Sequence, residues 1–212
     1  MGVYLYPSGT EKELKNAYIW QWPYEYSYDF LAAWSLAQIK SDWRTFPNHE
    51  NFAVDSSHWL HKTNNTDASM VKANFMNLAW ATKVTVIEKF YANWAAWWGY
   101  QTYRLRNSAN NENEWWADYR ANTASGYWGF WLSIPTASTT FNTSSLSAWD
   151  YTWEVVFDLV NLTAVGKLTG KTDITLALTS WDVDRIRLTA WFQFAFSGTW
   201  NYVQSIYLKA EF

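Results

Sequence analysis

Apolar and polar side chains alternate along much of the chain after residue 80, with the period of two that marks a half-buried β-strand. In the last such segment, one face carries Trp200, Tyr202, Ile206, Leu208, Ala210 and Phe212, and most residues between them are polar. The pattern predicts seven strands, at 82–91, 100–106, 127–134, 152–159, 174–179, 188–196 and 200–212.

Short strands separated by turns favour a mainly β fold built as an antiparallel β-sandwich. Two long polar connections, at 107–125 and 135–150, favour the jelly-roll type, and an immunoglobulin-like sandwich is the alternative. The strand at 188–196 is expected to turn at Ser197-Gly198 into the final strand.

The N-terminal third has a different pattern. Residues 29–43 contain helix formers without Gly or Pro and place Phe30, Trp34 and Ala37 on one face, which predicts an amphipathic helix with Asp29 as its N-cap. Residues 67–80 suit either a helix or a strand. We therefore divide the chain into an N-terminal segment, 1–66, packed on the sandwich or on a neighbour, and a single β-sandwich domain, 67–212.

Aromatic residues are unusually abundant, with 18 Trp, 14 Tyr and 12 Phe, and the chain has no Cys. At about 200 Å² for each aromatic side chain, they could bury roughly 9,000 Å², which one core of this size can absorb. The aromatic residues outside the alternating strand faces are the ones expected at subunit contacts. They are Tyr18, Trp20, Trp22, Tyr24, Tyr26, Tyr28, Trp97, Trp98, Trp115 and Trp116.

The net charge of −3 and the scattered basic residues disfavour direct nucleic-acid binding, because no run of Lys or Arg could neutralise a phosphate backbone. The N-terminus lacks the basic and apolar regions of a signal peptide. The absence of Cys fits a reducing compartment, or an oxidising one in which packing alone provides stability.

The motifs that could carry chemistry each have a structural interpretation. Residues 166–172 end like a phosphate-binding loop, but the first Gly is one residue too close and a strand follows, so a β-turn is predicted. His58 and His61, with His49 and Asp55 nearby, have no defined further ligands and are interpreted as loop residues. No metal or other cofactor is expected.

Acidic residues offer no clear catalytic pair. Glu154 and Asp158 share one strand face as solvated carboxylates, and Asp182 and Asp184 are expected to flank a turn. No Gly-x-Ser-x-Gly motif is present. The chain is therefore not expected to be an enzyme.

Two further patterns point to the protein exterior. Asn64, Asn142 and Asn161 begin glycosylation sequons, which occur by chance in a chain rich in Asn and Thr. Exposed aromatics could also form a sugar-stacking platform, with Trp97, Trp98, Trp115, Trp116 or Trp131 as candidates.

These observations favour a structural, self-assembling subunit, most specifically a viral capsid or coat protein located in the virion. The strand pattern resembles that of single-jelly-roll capsid proteins, without a shared motif. Partners are then copies of itself and other coat proteins, and an internal membrane or another protein separates the shell from nucleic acid. The alternatives are an extracellular filament or surface-layer subunit, and a carbohydrate-binding module or lectin that binds glycan outside the cell or at its surface.

Overall fold

The computed structural model describes thirteen stretches of the chain. They are residues 24–30, 37–39, 44–45, 52–55, 59–63, 68–73, 78–92, 98–107, 113–122, 127–134, 136–142, 149–197 and 201–212. Within them, all paired strands are antiparallel and form two sheets. The predicted β-sandwich is therefore confirmed.

The first sheet has eight strands in the described residues. Its spatial order is β13 (Ile174–Ala177), β12 (Thr163–Leu168), β11 (Trp149–Asp158), β6 (Lys83–Ala92), β15 (Asn201–Glu211), β4 (Trp59–Lys62) and β3 (Phe52–Asp55), with β1 (Tyr24–Asp29) also paired to β15. β15 is long enough to pair with β6 along one edge and with both β1 and β4 along the other.

The second sheet has seven strands in the described residues. Its spatial order is β10 (Ala137–Asn142), β9 (Tyr127–Ile134), β8 (Asn113–Asn122), β7 (Trp98–Asn107), β14 (Thr189–Ser197), β5 (Ala68–Ala73) and β2 (Arg44–Thr45). One helix with defined caps, α1 (Ser180–Arg187), connects β13 of the first sheet to β14 of the second.

The core lies on the inner side of the first sheet, where the predicted alternation becomes alternating burial. Along β11, Trp153, Val155 and Phe157 are buried while the residues between them are half-exposed. Leu132 and Ile134 of β9 join the same core from the second sheet. A Phe of this kind costs about 3–5 kcal/mol when truncated to Ala, so these side chains carry much of the stability.

Close packing within the first sheet explains one glycine. A Cβ built on Gly166 in β12 would lie 3.0 Å from Ile174 Cγ1 and 3.0 Å from Trp153 Cη2. A larger residue would require one of these side chains to shift, so Gly166 leaves room for the Trp153 ring beside β12.

Two predicted loops contain strands. β8 lies inside 107–125 and β10 inside 135–150, and both form ladders with β9. These segments were predicted as loops because they contain many Asn and Ser residues near the ends of the strands. The hairpin partners supply the backbone hydrogen bonds, and the aromatic residues within β8 favour a strand.

The helix predicted over 29–43 is wrong at its start. Asp29 ends β1 and pairs with Ser205, and Phe30 follows in a turn with its side chain buried in the core. The alternation of Tyr24, Tyr26 and Tyr28 with polar residues has the period of a strand, and pairing with β15 decides the conformation. Residues 37–39 are helical, and the other residues from 31 to 43 lie outside the described residues.

Strands from residues 1–66 join both sheets of the sandwich. β1 and β4 pair with β15, and β2 pairs with β5. Of the open segment 67–80, residues 68–73 form strand β5 and residues 79–80 form a turn, and the residues at 67 and 74–77 lie outside the described ones.

The predicted hairpin at Ser197-Gly198 is wrong. β14 lies in the second sheet and β15 in the first, so the chain crosses the sandwich between them.

The helix α1 replaces two predicted features. Leu188, expected in a strand, is instead the C-cap of α1, and Asp182 and Asp184 lie on this helix and not beside a turn. The helix begins with a capping box, in which Thr179 and Asp182 each accept from the other's backbone N–H.

Candidate functional site

A group of polar and aromatic side chains lies at one end of the outer face of the eight-stranded sheet. The strand register places Tyr91 of β6 between Asp150 of β11 and Tyr202 of β15. Their neighbours Phe90 and Val203 are buried in the core, so these three side chains point to the opposite, outer side. On β4, Leu60 pairs with Val203, and the alternation puts His61 on the outer side as well.

A β-bulge shapes this end of the sheet. The register between β15 and β6 shifts between Val203 and Ser205, so Gln204 is an extra residue in the ladder. Its carbonyl accepts a hydrogen bond from the Phe30 backbone N–H at 2.9 Å. The Gln204 side chain reaches across β6, and its Nε2 donates to Asp150 Oδ1 at 2.6 Å.

Three rings continue the group across the sheet. The Tyr91 and Tyr202 ring centroids are 5.9 Å apart, and the His61 and Tyr202 centroids are 5.4 Å apart in an edge-to-face arrangement. Tyr202 is held between the other two rings and is only 8% exposed. Tyr91 and His61 are half-exposed. We call Asp150, Gln204, Tyr91, Tyr202 and His61 the outer-face cluster.

The outer-face cluster combines the groups needed to orient a hydroxyl-rich ligand. The Asp150 carboxylate is an acceptor with several lone pairs and is exposed, and the Gln204 amide carbonyl is a further acceptor. The rings add flat apolar surface with polar tips. A few fixed polar groups beside aromatic surface is the composition typical of small-molecule sites.

The predicted interface residues fall in several places. Tyr18, Trp20, Trp22 and Trp97 lie outside the described residues. Tyr24 belongs to β1, Trp98 to β7, and Trp115 and Trp116 to β8. Tyr26 and Tyr28 are half-buried against the chain's own core, and Tyr28 contacts Phe30 edge-to-face at 4.9 Å. Trp131, a candidate for a sugar-stacking platform, lies in β9 opposite Asp118. Subunit contacts through these aromatics stay a prediction.

The sequons are also spread over the fold. Asn64 lies outside the described residues, and Asn142 ends β10 opposite Gly129. Asn161 is exposed in the turn after β11, but its Nδ2, to which a glycan would be attached, donates to Asp158 Oδ2 at 2.8 Å. The use of the sequons stays a prediction.

The phosphate-loop interpretation is resolved in favour of a turn. β12 ends at Leu168, and Lys171 N donates to Leu168 O at 2.9 Å before β13 begins at Ile174. This confirms the predicted β-turn. Gly170 in the turn has φ of +73°, a left-handed conformation that Gly adopts without strain.

The histidines and acidic pairs are dispersed. Of the four candidate metal ligands, His49 and His58 lie outside the described residues, Asp55 ends β3, and His61 belongs to the outer-face cluster. No group of three or more potential metal ligands occurs in the described part of the chain.

Glu154 and Asp158 share the outer face of β11 as predicted, and each has a structural partner. Lys167 Nζ donates to Glu154 Oε1 at 2.9 Å, and this hydrogen bond raises the pKa of Lys167. Asp158 accepts from the Asn161 backbone and side chain and from the Val160 N–H, which lower its pKa.

Sequence reasoning did not find the outer-face cluster, because its members come from four strands and the register that aligns them depends on a bulge. One signal was present. The predicted face of the last strand skips position 204, between Tyr202 and Ile206, and that is where the bulge lies. The prediction that Tyr202 shares a face with Ile206 is wrong, because the extra residue puts Tyr202 on the outer side. The helix α1 also had a signal, since Thr179 and Asp182 have the spacing of a capping box ahead of Val183 and Ile186.

Neither a protein-family model nor a curated relative matches the chain. Solved structures of legume lectins do match. Peanut lectin superposes with a TM-score of 0.59 and 10% identity, over 90% of this chain and 98% of the lectin. The acidic lectin of winged bean, complexed with methyl-α-D-galactose, gives 0.58 and 8% identity, over 89% and 99%. The lectin of Bauhinia forficata, in complex with GalNAc, gives 0.55 and 12% identity, over 89% and 99%.

The chain has the fold of the legume lectins. This confirms the predicted jelly-roll β-sandwich, and at this level of identity the likeness is one of fold. In the residues that the structure describes, no helix combines the length and apolar character needed to cross a membrane.

Proposed function

We propose that this chain is a carbohydrate-binding protein that holds a glycan at the outer-face cluster, outside the cell or at its surface, without catalysing a reaction. The observation that carries the proposal is the Asp150–Gln204 hydrogen bond of 2.6 Å beside the Tyr91, Tyr202 and His61 rings. This hydrogen bond holds the Asp150 carboxylate and the Gln204 amide in fixed positions next to the aromatic rings.

The chemistry of this pair suits vicinal sugar hydroxyls. Gln204 uses its amide N–H on Asp150 Oδ1, so the second carboxylate oxygen and the amide carbonyl can accept from a ligand. Hydrogen bonds to a carboxylate are shorter and stronger than neutral ones. The apolar face of a pyranose can pack on the half-exposed Tyr91 ring.

The fold supports the proposal without assigning the ligand. The matching structures are named as lectins, and two of them are complexed with methyl-α-D-galactose and with GalNAc. Sugars of this class are therefore the first ligands to test. A binding role without catalysis fits the engagement of Glu154 by Lys167 and of Asp158 by its turn, because glycoside hydrolysis requires a facing carboxylate pair.

A glycan array screened with the purified chain, followed by calorimetric titration of the strongest ligand, tests the proposal. Asp150→Ala should weaken binding at least tenfold, and Gln204→Ala should weaken it several-fold because it frees the carboxylate to reorient. Glu154→Gln is the matched control, since it removes a carboxylate from the same face of the same strand and should leave affinity unchanged. A folded chain that binds no glycan, or equal losses in all three variants, would reject the site.

The viral coat-protein prediction and the filament alternative remain second candidates. Both require self-association, and the observation that favours it is a set of exposed apolar side chains at the opposite end of the sandwich, which includes Trp80, Trp181 and Leu188. Mass photometry and electron microscopy distinguish these candidates, because a coat protein forms closed shells and a filament subunit forms extended polymers.

A further inference from the structure

Four lysines with described side chains lie on the outer face of the eight-stranded sheet, and Lys89 of β6 differs from the other three. The three contact a carboxylate at 2.9–3.5 Å: Lys83 and Lys209 contact Glu211, and Lys167 contacts Glu154. Lys89 is exposed, and its ammonium group has no carboxylate within ion-pair distance in the described part of the chain. Its donors are therefore available to a ligand.

The strand register places Lys89 between two hydroxyl groups. Thr152 of β11 lies opposite Lys89 on one side, and Ser205 of β15 lies opposite it on the other. Their neighbours Trp153 and Ile206 are buried in the core, so both hydroxyls are on the outer side with Lys89. Among the described residues, neither hydroxyl has a hydrogen-bond partner. We call Thr152, Lys89 and Ser205 the donor row.

The donor row is the next row of side chains along the strands from the outer-face cluster. On β6, Lys89 and Tyr91 lie on the same side and two residues apart, which is about 7 Å. The Gln204 side chain leaves β15 between the two rows and reaches Asp150. The distance between the rows is comparable with the width of one pyranose ring, so a single sugar can contact both.

The two rows have opposite hydrogen-bonding character. The second oxygen of the Asp150 carboxylate and the Gln204 carbonyl are acceptors, whereas the Lys89 ammonium is a donor only. A sugar hydroxyl can donate to the first pair. A carboxylate is an acceptor only, and its hydrogen bonds with an ammonium are strengthened by the charges. A hexuronic acid has both groups, because its carboxylate carbon is attached across the ring from the C2 hydroxyl.

We propose that the ligand of the outer-face cluster is an acidic sugar of the uronic acid class, with its ring hydroxyls on Asp150 and Gln204 and its carboxylate on Lys89. Thr152 and Ser205 donate to the same carboxylate from either side. The proposal rests on the proposed function, since it names the ligand class of that same site.

Two carboxylates near the donor row limit the gain from an acidic ligand. Asp150 is diagonal to Lys89 across the sheet, at about 7–8 Å, and Asp29 lies opposite Ser205, two strands and about 10 Å from Lys89. The Debye length at physiological ionic strength is about 8 Å, so repulsion over these distances is partly screened. The direct contact with Lys89 is affected less, and the balance favours a ligand carboxylate placed on Lys89.

The exposure of Lys89 sets the size of the expected preference. Ion pairs at exposed positions are weak, and the upper part of their range corresponds to about a fivefold change in affinity. We therefore expect a uronic acid to bind about fivefold more tightly than the matching neutral sugar at low salt. The preference should decrease as the salt concentration rises.

Titrations of the full chain, followed by amide chemical shifts, test the proposal with two matched pairs of sugars: D-galactose with D-galacturonate, and D-glucose with D-glucuronate. Lys89→Gln should weaken binding of the acidic sugar about fivefold and of the neutral sugar less than about twofold. Lys89→Arg should keep the preference. Lys167→Gln is the matched control, because it removes an ammonium from the same face that Glu154 already engages, and it should change neither affinity.

Circular dichroism must show that each variant is folded. Equal affinity for both members of a pair, or a preference that survives Lys89→Gln, would overturn this proposal and leave the proposed glycan site intact. Tighter, Lys89-dependent binding of D-galactose 6-sulfate than of D-galacturonate would assign the donor row to sulfate and also overturn it. A chain that binds neither member of either pair would overturn it as well, and the glycan array then decides separately whether the proposed function stands.

Discussion

Asp182 connects the helix to the second sheet, and removing it should destabilise the fold. Its Oδ2 accepts from Thr136 Oγ1 at 2.6 Å, from Thr179 Oγ1 at 2.6 Å and from Thr179 N at 2.9 Å. Thr136 lies in the turn between β9 and β10. One buried carboxylate thus caps α1 and holds a hairpin of the opposite sheet in place.

The cost of Asp182→Ala can be estimated from these contacts. A hydrogen bond to a charged group contributes about 1.5–3 kcal/mol, and loss of an N-terminal capping interaction costs about 1 kcal/mol. Since Ala also removes the penalty for burying the charge, we expect a net loss of about 3–4 kcal/mol. For a chain of this size each kcal/mol lowers the melting temperature by about 2–4 °C, so Tm should fall by about 10 °C.

Urea unfolding followed by circular dichroism measures this loss, with Asp173→Asn, an exposed carboxyl before β13, as the control. Thr136→Val should show coupling to Asp182→Ala in a double-mutant cycle, because the two residues share one contact. If Asp182→Ala changed stability by less than about 1 kcal/mol, or if the cycle showed no coupling, the assigned connection between helix and hairpin would be refuted.

The same contact sets a pH dependence. Burial opposes the charged form, but hydrogen bonds from Thr136 and Thr179 more than offset it, so the pKa of Asp182 is lowered. Because the folded pKa is lowered, the stabilisation is present above the ordinary Asp pKa. It is lost as pH falls through the lowered value. Asp182→Asn should therefore lose less stability than the parent chain as the pH falls below the ordinary Asp pKa of 3.8.

Two further substitutions test local features. Gly166→Ala should cost about 1–3 kcal/mol in urea unfolding, because its Cβ would lie only 3.0 Å from two side chains, whereas Gly170→Ala meets open space and should lose about 1 kcal/mol through its positive φ. A loss of less than about 1 kcal/mol for Gly166→Ala would contradict the packing of β12. Asp158→Asn should flatten the acid limb of the stability curve, because the pKa of Asp158 is lowered by the Asn161 backbone and side chain. An unchanged acid limb would show that the turn hydrogen bonds do not form in solution.

Three of the predicted strands show the alternation directly. β6, β11 and β15 bury every second residue over most of their length, so a period of two was visible. β8 and β10 were missed because polar residues at their ends resemble loops, and backbone pairing with β9 outweighs that composition. β1 was not predicted, and its last residue, Asp29, was predicted as a helix N-cap, because partner strands, which a local pattern does not contain, decide between the two conformations.

The outer-face cluster was beyond prediction for a different reason. Its residues are separated by up to about 140 positions, and none of them forms a spaced motif. They meet only because β4, β6, β11 and β15 pair in one register, and that register includes an extra residue at Gln204. Local periodicity gives the face on which a residue lies, whereas the neighbour across the sheet depends on pairing.

The bulge at Gln204 divides β15 into two parts, of which one packs in the core and the other contributes to the outer face. On its C-terminal side, Ile206, Leu208 and Ala210 are fixed by the core, where a change of shape is costly. On its N-terminal side, the strand presents Tyr202 to the outer face. Under the proposed function, residue changes on the outer face of that first part should alter ligand preference while the core around the second part keeps its sequence. A set of variants to test for new specificities could therefore be made by randomising the outward-facing positions before the bulge, with Val203, which is buried in the core, left unchanged.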